Sequence, residues 1–196
     1  MSQIYFTSDT HYGHANICRG TTNWEDSNDK TRDFATLEKM NAALVDRINS
    51  SVGANDILYH LGDWSFGGFD NIKTFRDRLT CQNINLILGN HDHFIARNKN
   101  DIRSLFNKVY SFGKNISINK QEFILCHYSM RVWNRSHHGS VMLYGHSHGT
   151  LPQPPGKTMD VGVDTNNLFP YHIDEIMKFM DKRGAVQVDH HNERTT

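Results

Sequence analysis

The sequence lacks what would commit it to a membrane, an oxidising compartment or duplex nucleic acid. No apolar run approaches the roughly 20 residues of a membrane span. The opening MSQIYFTSDT has no basic segment ahead of an apolar one, so neither span nor leader is expected. Only three cysteines occur, Cys18, Cys81 and Cys126, an odd and scattered set without zinc-site spacing. Free thiols in a reducing cytoplasm are the expectation. Excess charge of one sign is missing too: 21 Lys and Arg balance 21 Asp and Glu. Strong duplex binding usually needs a basic field, so it is not expected here. There are no repeats, low-complexity stretches or linkers. The 196 residues suit one domain, 1–196, with a polar tail from about residue 184. A chain this long can bury enough surface to fold without a disulfide or structural metal.

Histidine, by contrast, is abundant, with thirteen residues. It titrates near neutrality and is a common metal ligand, but position rather than number decides what each one does. Ile4 to Ser8 (IYFTS) reads as a short buried strand ending at Asp9. Arg19 to Arg32 is polar and reads as a surface loop. From Thr36, Leu37, Met40, Leu44 and Ile48 fall on one helical face, and Gly53 lies past the end. Asp56 to Asp63 (DILYHLGD) is a second buried strand ending in an acid. FDNIKTFRDRL is an amphipathic helix with Ile72, Phe75 and Leu79 on its apolar side. INLILGNHD repeats the strand-then-polar-cluster formula. Strands alternating with helices predict an α/β sheet that is at least partly parallel, in which sites gather at the carboxyl ends of strands. After residue 108 the pattern predicts short antiparallel strands with tips at Gly113-Lys114 and Asn119-Lys120. VMLYGHSH and MDVGVD then give two further short strands, PPG a turn between them, and Ile173 to Met180 a final helix.

Five polar clusters close these apolar segments: Asp9-Thr10-His11, Gly62-Asp63, Gly89-Asn90-His91-Asp92, Cys126-His127 and Gly145-His146-Ser147-His148. Singly, each reads as a helix cap, a turn or a satisfied rim residue. Together they place metal-ligand side chains at five strand ends.

In this order and spacing the clusters resemble the motifs of the calcineurin-like metallophosphoesterases, from Asp9 to about Asp164. The resemblance implies a four-layered αββα sandwich of two mixed β-sheets flanked by helices, with a dinuclear metal centre at the sheet ends. Carried over, it assigns Asp9, His11, Asp63 and His148 to one ion and Asp63, Asn90, His127 and His146 to the other, with Asp63 bridging. Two divalent cations roughly 3.5–4 Å apart can clamp phosphoryl oxygens and make a bound water acidic. The mixed imidazole and carboxylate set suits Mn, Fe, Ni or Zn and does not choose among them. In the family, the residue matching His91 faces the substrate and is proposed to protonate the leaving alkoxide or to stabilise charge in the transition state. Asp92 either orients His91 or caps a helix at Phe94.

Substrate contacts are expected from Asn90 and His91, from His14 and Asn16 behind the first ligands, and from Arg131 and Trp133 after His127. Arg can grip phosphate bidentately and Trp can stack on a base, although a packed Trp beside a solvated Arg is the plain alternative. His60, inside a strand, reads as a satisfied core group. His93, His137, His138, His172, His190 and His191 read as surface residues. The resulting expectation is a metal-dependent phosphoesterase acting on a small or accessible phosphate ester, a nucleotide among the candidates. GDWSFGG lacks the acid and Arg that protein serine/threonine phosphatases carry after the second motif, so that activity is not expected. The alternatives are a nuclease of the same superfamily and a non-catalytic binding scaffold. The metal-type set is intact, which argues against the scaffold.

Overall fold

The computed structural model describes residues 2–25 and 30–185. Most of the polar tail, with His190 and His191, therefore lies outside the described residues. In chain order the elements are β1 (Ile4–Thr7), α1 (Leu37–Ser51), β2 (Ile57–His60), α2 (Gly68–Arg78), β3 (Asn83–Ile87), α3 (His93–Arg97) and α4 (Lys99–Ile102). They continue with β4 (Lys108–Tyr110), β5 (Gly113–Ile118), β6 (Gln121–Cys126), β7 (Val141–Tyr144), β8 (Thr158–Asp160), β9 (Tyr171–His172) and α5 (Ile173–Met180).

Two mixed sheets form. The first has the order β4-β3-β2-β1-β9, parallel except at β9. The second has the order β5-β6-β7-β8, parallel except at β5. Side-chain alternation assigns the layers. From β6 and β7, Phe123, Leu125, Val141 and Leu143 point into a core shared with Phe6, Leu61 and Ile87 of the first sheet, and α5 adds Ile176 and Met180. On the far side of the first sheet, Leu58, Ile84 and Leu86 pack against Val45 and Ile48 of α1 and Ile72 and Phe75 of α2. Each of these fully buried side chains stabilises the fold by roughly 1.5–3 kcal/mol.

Side-chain caps close the N-termini of two helices. The Thr36 hydroxyl accepts from the Lys39 N–H at the start of α1. At α5, His172 and Glu175 form a reciprocal capping box. His172 thus has a structural role rather than that of an idle surface residue. The three cysteines are free and buried, and among the described residues no helix is long and apolar enough to cross a membrane.

Two local expectations are corrected. β4 does not join an antiparallel group; it pairs parallel with β3 and extends the first sheet. Gly113-Lys114 is not a turn tip, because both residues are paired in β5 opposite Cys126 and Leu125. The tip at Asn119-Lys120 does form, with both residues at left-handed φ. The outer face of the second sheet is covered by the Met130–Ser140 segment, whose Trp133 packs on Ile124, Cys126, Met142 and Tyr144.

Candidate metal centre

The carboxyl ends of β1, β2 and β3 from one sheet and of β6 and β7 from the other open onto the same loops. Backbone hydrogen bonds lace those loops together. Asp9 N–H donates to Gly62 O (2.9 Å), His11 N–H to Asp63 O (3.0 Å) and Gly145 N–H to His127 O (3.0 Å). His146 N–H donates to both carboxylate oxygens of Asp9, at 3.0 and 2.9 Å. Among the described residues ten non-glycines have left-handed φ, and five of them are Asp9, His11, Asp63, His146 and His148. Each such residue costs on the order of 1 kcal/mol or more, and strain of this kind gathers at functional sites. Two glycines are fixed by closeness. A Cβ at Gly89 would lie 2.2 Å from Asp63 Oδ1, and one at Gly145 would lie 2.5 Å from Asp9 Oδ2.

Within this frame the ligand-type atoms converge in two groups. Asp9, His11 and His148 form one, and Asp63, His127 and His146 the other. Asp63 joins them: its Oδ2 lies 3.5 Å from His11 Nε2 and 3.4 Å from His127 Nε2. Asn90 Oδ1 is 3.0 Å from His127 Nε2, which adds Asn90 to the second group. Asp9, His11, Asp63 and His127 form a buried floor, while His146 and His148 reach the rim.

The outer partners decide which ring atoms face inward. His127 Nδ1 donates to Leu61 O at 2.8 Å, so Nε2 turns towards Asn90 Oδ1 and Asp63 Oδ2. With a neutral ring, three acceptors would then face one another without a donor, an arrangement suited to a cation. Burial disfavours a protonated His127 ring, but the hydrogen bond and charge of Asp63 outweigh it and raise its pKa. His148 Nδ1 pairs with Asp164 Oδ2 at 2.7 Å, leaving Nε2 for the group. His11 is 3% exposed, and its Nδ1 has no hydrogen-bond partner. Burial pushes the Asp9 carboxyl up to about 7 despite His148 and His127 nearby. Asp63 is also disfavoured by burial, but the His127 hydrogen bond, the charges of His127 and His11 and the His91 N–H hold it well below the usual carboxylate range. A buried carboxyl that ionises reluctantly, beside imidazole lone pairs, fits a divalent cation, which would favour the ionised form.

A sequence profile of the calcineurin-like phosphoesterases matches residues 2–178. The chain belongs to that family. It is similar to an uncharacterized protein of Methanocaldococcus jannaschii, 29% identical over 195 residues that cover 95% of this chain and 96% of that one. It is also similar to the "Gene 66 protein" of Mycobacterium phage D29, 26% identical over 211 residues that cover 92% and 97% of the two chains. A crystal structure of a protein of unknown function from Aquifex aeolicus shares the fold, with TM-score 0.67 at 22% identity, covering 91% of this chain and all of that one.

The other expected site residues divide. His91 stands at the centre: its N–H donates to Asp63 Oδ1 (2.8 Å), and its ring lies 5.2 Å from that of His11. His14 also adjoins the site, 5.5 Å from His11 ring to ring and stacked on Phe66 at 3.9 Å. Burial, then the neighbouring His91, lowers its pKa to about 4, so it is a neutral ring. Asp92 stands at the N-cap position of α3, but its side chain bonds elsewhere. It makes no side-chain cap on α3 and no hydrogen bond to His91; its carboxylate accepts from Asp63 N–H (2.8 Å), Gly89 N–H (2.8 Å) and Trp64 N–H (3.0 Å). Trp133 is buried and donates its indole N–H to Ser140, so it has no free face for a substrate. Asn16 accepts from Asn23 N–H within its own loop, and Arg131 is exposed with no contact to either ligand group. His60 is a satisfied core group, bonded to Thr10 Oγ1 (2.9 Å) and accepting from Gly62 N–H (3.3 Å).

Sequence reasoning missed Arg32 and Phe66 and read Asp164 only as part of a strand. Arg32 holds Asp164 through two nitrogens and donates to the carbonyls of Asp9 and Thr10, tying the first ligand loop to the support of His148. Its partner is 132 residues away, and no local pattern marks such a pair.

The Asp9 shift gives a test. A carboxyl whose folded pKa lies above its unfolded value binds more protons in the folded state between the two values. Its contribution to stability therefore falls as pH rises from about 4 to about 7. Asp9→Asn removes that dependence. In chelator, the variant should match wild type near pH 4 and exceed it by a few kcal/mol at pH 8, with the order reversed when divalent metal is restored. Thermal melts across that range measure this. A variant less stable than wild type at pH 8 in chelator would refute it.

Proposed function

We propose that the chain is a metal-dependent phosphoric ester hydrolase holding two divalent transition ions, with Asp63 between them. Asp9, His11 and His148 complete one ligand set, and Asn90, His127 and His146 the other. The observation that carries this reading is the convergence of the two ligand groups on Asp63, whose Oδ2 lies 3.5 and 3.4 Å from an imidazole of each. When bound, the ions supply positive charge for the phosphoryl oxygens and an acidified water as nucleophile. The chain's own residues do the rest. Leu61 O and Asp164 fix the ring orientations of His127 and His148. Asn90 contributes a neutral oxygen, so the site stays attractive to an anion. His91, whose imidazole hydrogen-bonds to no described residue, can hold a proton at the leaving oxygen as the phosphorus–oxygen bond breaks.

Elemental analysis and metal-stimulated hydrolysis of a p-nitrophenyl phosphate ester test the reading together. Wild-type protein should bind close to two equivalents of transition metal. Asp63→Asn, which removes the shared charge, should lose metal from both positions, and Asp9→Asn mainly from one. Protein that neither binds transition metal nor hydrolyses any aryl phosphate with added Mn, Fe, Ni or Zn would refute it.

A further inference from the structure

Two clefts adjoin the ligand groups. One, about 480 Å³, runs from His146 and His148 to Trp24, with Ile17 and Lys30 also on its wall. The other, about 160 Å³, lies beside His91 and is walled by Phe66 and Phe94, with Ser65 at its edge. They flank one point: the His11 ring stands 5.2 Å from His148 on the first wall and 5.2 Å from His91 on the second. Each carries an aromatic side chain turned to solvent, since Trp24 and Phe94 are both 41% exposed. In the second cleft, Ser65 Oγ is buried without a hydrogen-bond partner. The first volume falls in the roughly 300–1,000 Å³ range of sites that enclose a whole small molecule; the second has room for little more than one ring.

A phosphomonoester has one organic substituent and would leave one cleft idle, whereas a diester has two. From this, and resting on the phosphoesterase reading, we infer that the substrate is a phosphodiester bearing a planar ring on each side, with a nucleoside in the larger cleft stacked on Trp24. Base stacking on an aromatic side chain tolerates any base and needs no basic field, which suits a chain of zero formal net charge. Hydrolysis would add water to phosphorus, release the substituent beside His91 as the alcohol and leave the nucleoside as its phosphate.

Trp24 reports on its own cleft, because Trp64 and Trp133 are buried. In metal-stripped protein, thymidylyl-thymidine should quench tryptophan emission saturably. Dimethyl phosphate should not, and Trp24→Phe should abolish the quenching. With metal restored, the p-nitrophenyl ester of thymidine 5′-phosphate should exceed methyl p-nitrophenyl phosphate in kcat/KM by roughly 5- to 150-fold, the span of one stacked base. Trp24→Ala should erase most of that preference, and thymidine 5′-phosphate itself should be at least about tenfold poorer than its ester. Absent quenching, equal rates for the two esters, or a preferred monoester would each overturn the inference while leaving the phosphoesterase reading standing. Quenching without hydrolysis of any ester would uphold the Trp24 cleft and defeat the activity instead.

Discussion

His91→Gln should lower turnover by roughly 10²–10⁴ while metal content stays at the wild-type level, the range expected for loss of a positioned general acid. The separation follows from which atoms His91 uses. Its tie to Asp63 is made by the backbone N–H, so a side-chain substitution leaves that 2.8 Å bond in place. Its imidazole contacts the rings of His11, His14 and Phe66 and hydrogen-bonds to no described residue. Glutamine is short enough to fit and cannot donate a proton as imidazolium does. Changing the leaving group sharpens the test. p-Nitrophenolate departs without a proton, so the loss should be smallest with that ester and largest with an alkyl alcohol. A uniform loss across leaving groups would assign His91 to charge stabilisation, and loss of metal would make it a ligand.

The five strand-end clusters were legible because each lies within a few residues of an apolar segment that ends there. Sequence distance and spatial distance agree for Asp9 after β1, Asp63 after β2 and Asn90 after β3. Orientation was not legible. Whether a side chain near a ligand faces the cleft or the core depends on contacts with distant segments. Trp133 follows His127 by six residues, yet it turns away to donate to Ser140 and fill the outer core of the second sheet. Trp24 attracted no notice in a polar loop, although it walls the larger cleft. β4 has the same short apolar look as β5, and only its register with Asn85 to Ile87 places it in the first sheet. The αL backbone of Asp9, His11, Asp63, His146 and His148 was equally invisible, because Asp and His report no φ in sequence.

Asp92, the neighbour of His91, should behave in the opposite way: Asp92→Ala should cost stability and metal together. Its carboxylate is 2% exposed and accepts three backbone N–H groups, those of Asp63 and Trp64 after β2 and of Gly89 after β3. It therefore clamps the loop bearing Asp63 to the loop bearing Asn90. Alanine would strand three buried donors at roughly 1–3 kcal/mol each, a loss of about 3–9 kcal/mol against a total stability of roughly 5–15 kcal/mol. Such a variant will not all fold, so Asp92→Asn is the informative partner. Its amide oxygen can keep the bonds from Asp63 and Gly89, while its NH2 would face Trp64 N–H, donor against donor. It should lose roughly 1–3 kcal/mol, a fall in Tm of about 2–4 °C per kcal/mol for a chain this size. Metal affinity should drop in the same variant, because the Asp63 loop is no longer held in its left-handed turn. Burial raises the Asp92 pKa to about 6 even against those three hydrogen bonds, so the carboxyl is not stabilised as a free charge. A role in proton transfer through His91 predicts a different result: Asp92→Asn with unchanged Tm and metal content and a turnover as low as that of His91→Gln. Melting curves and elemental analysis of the two variants side by side decide between a clamp and a catalytic partner.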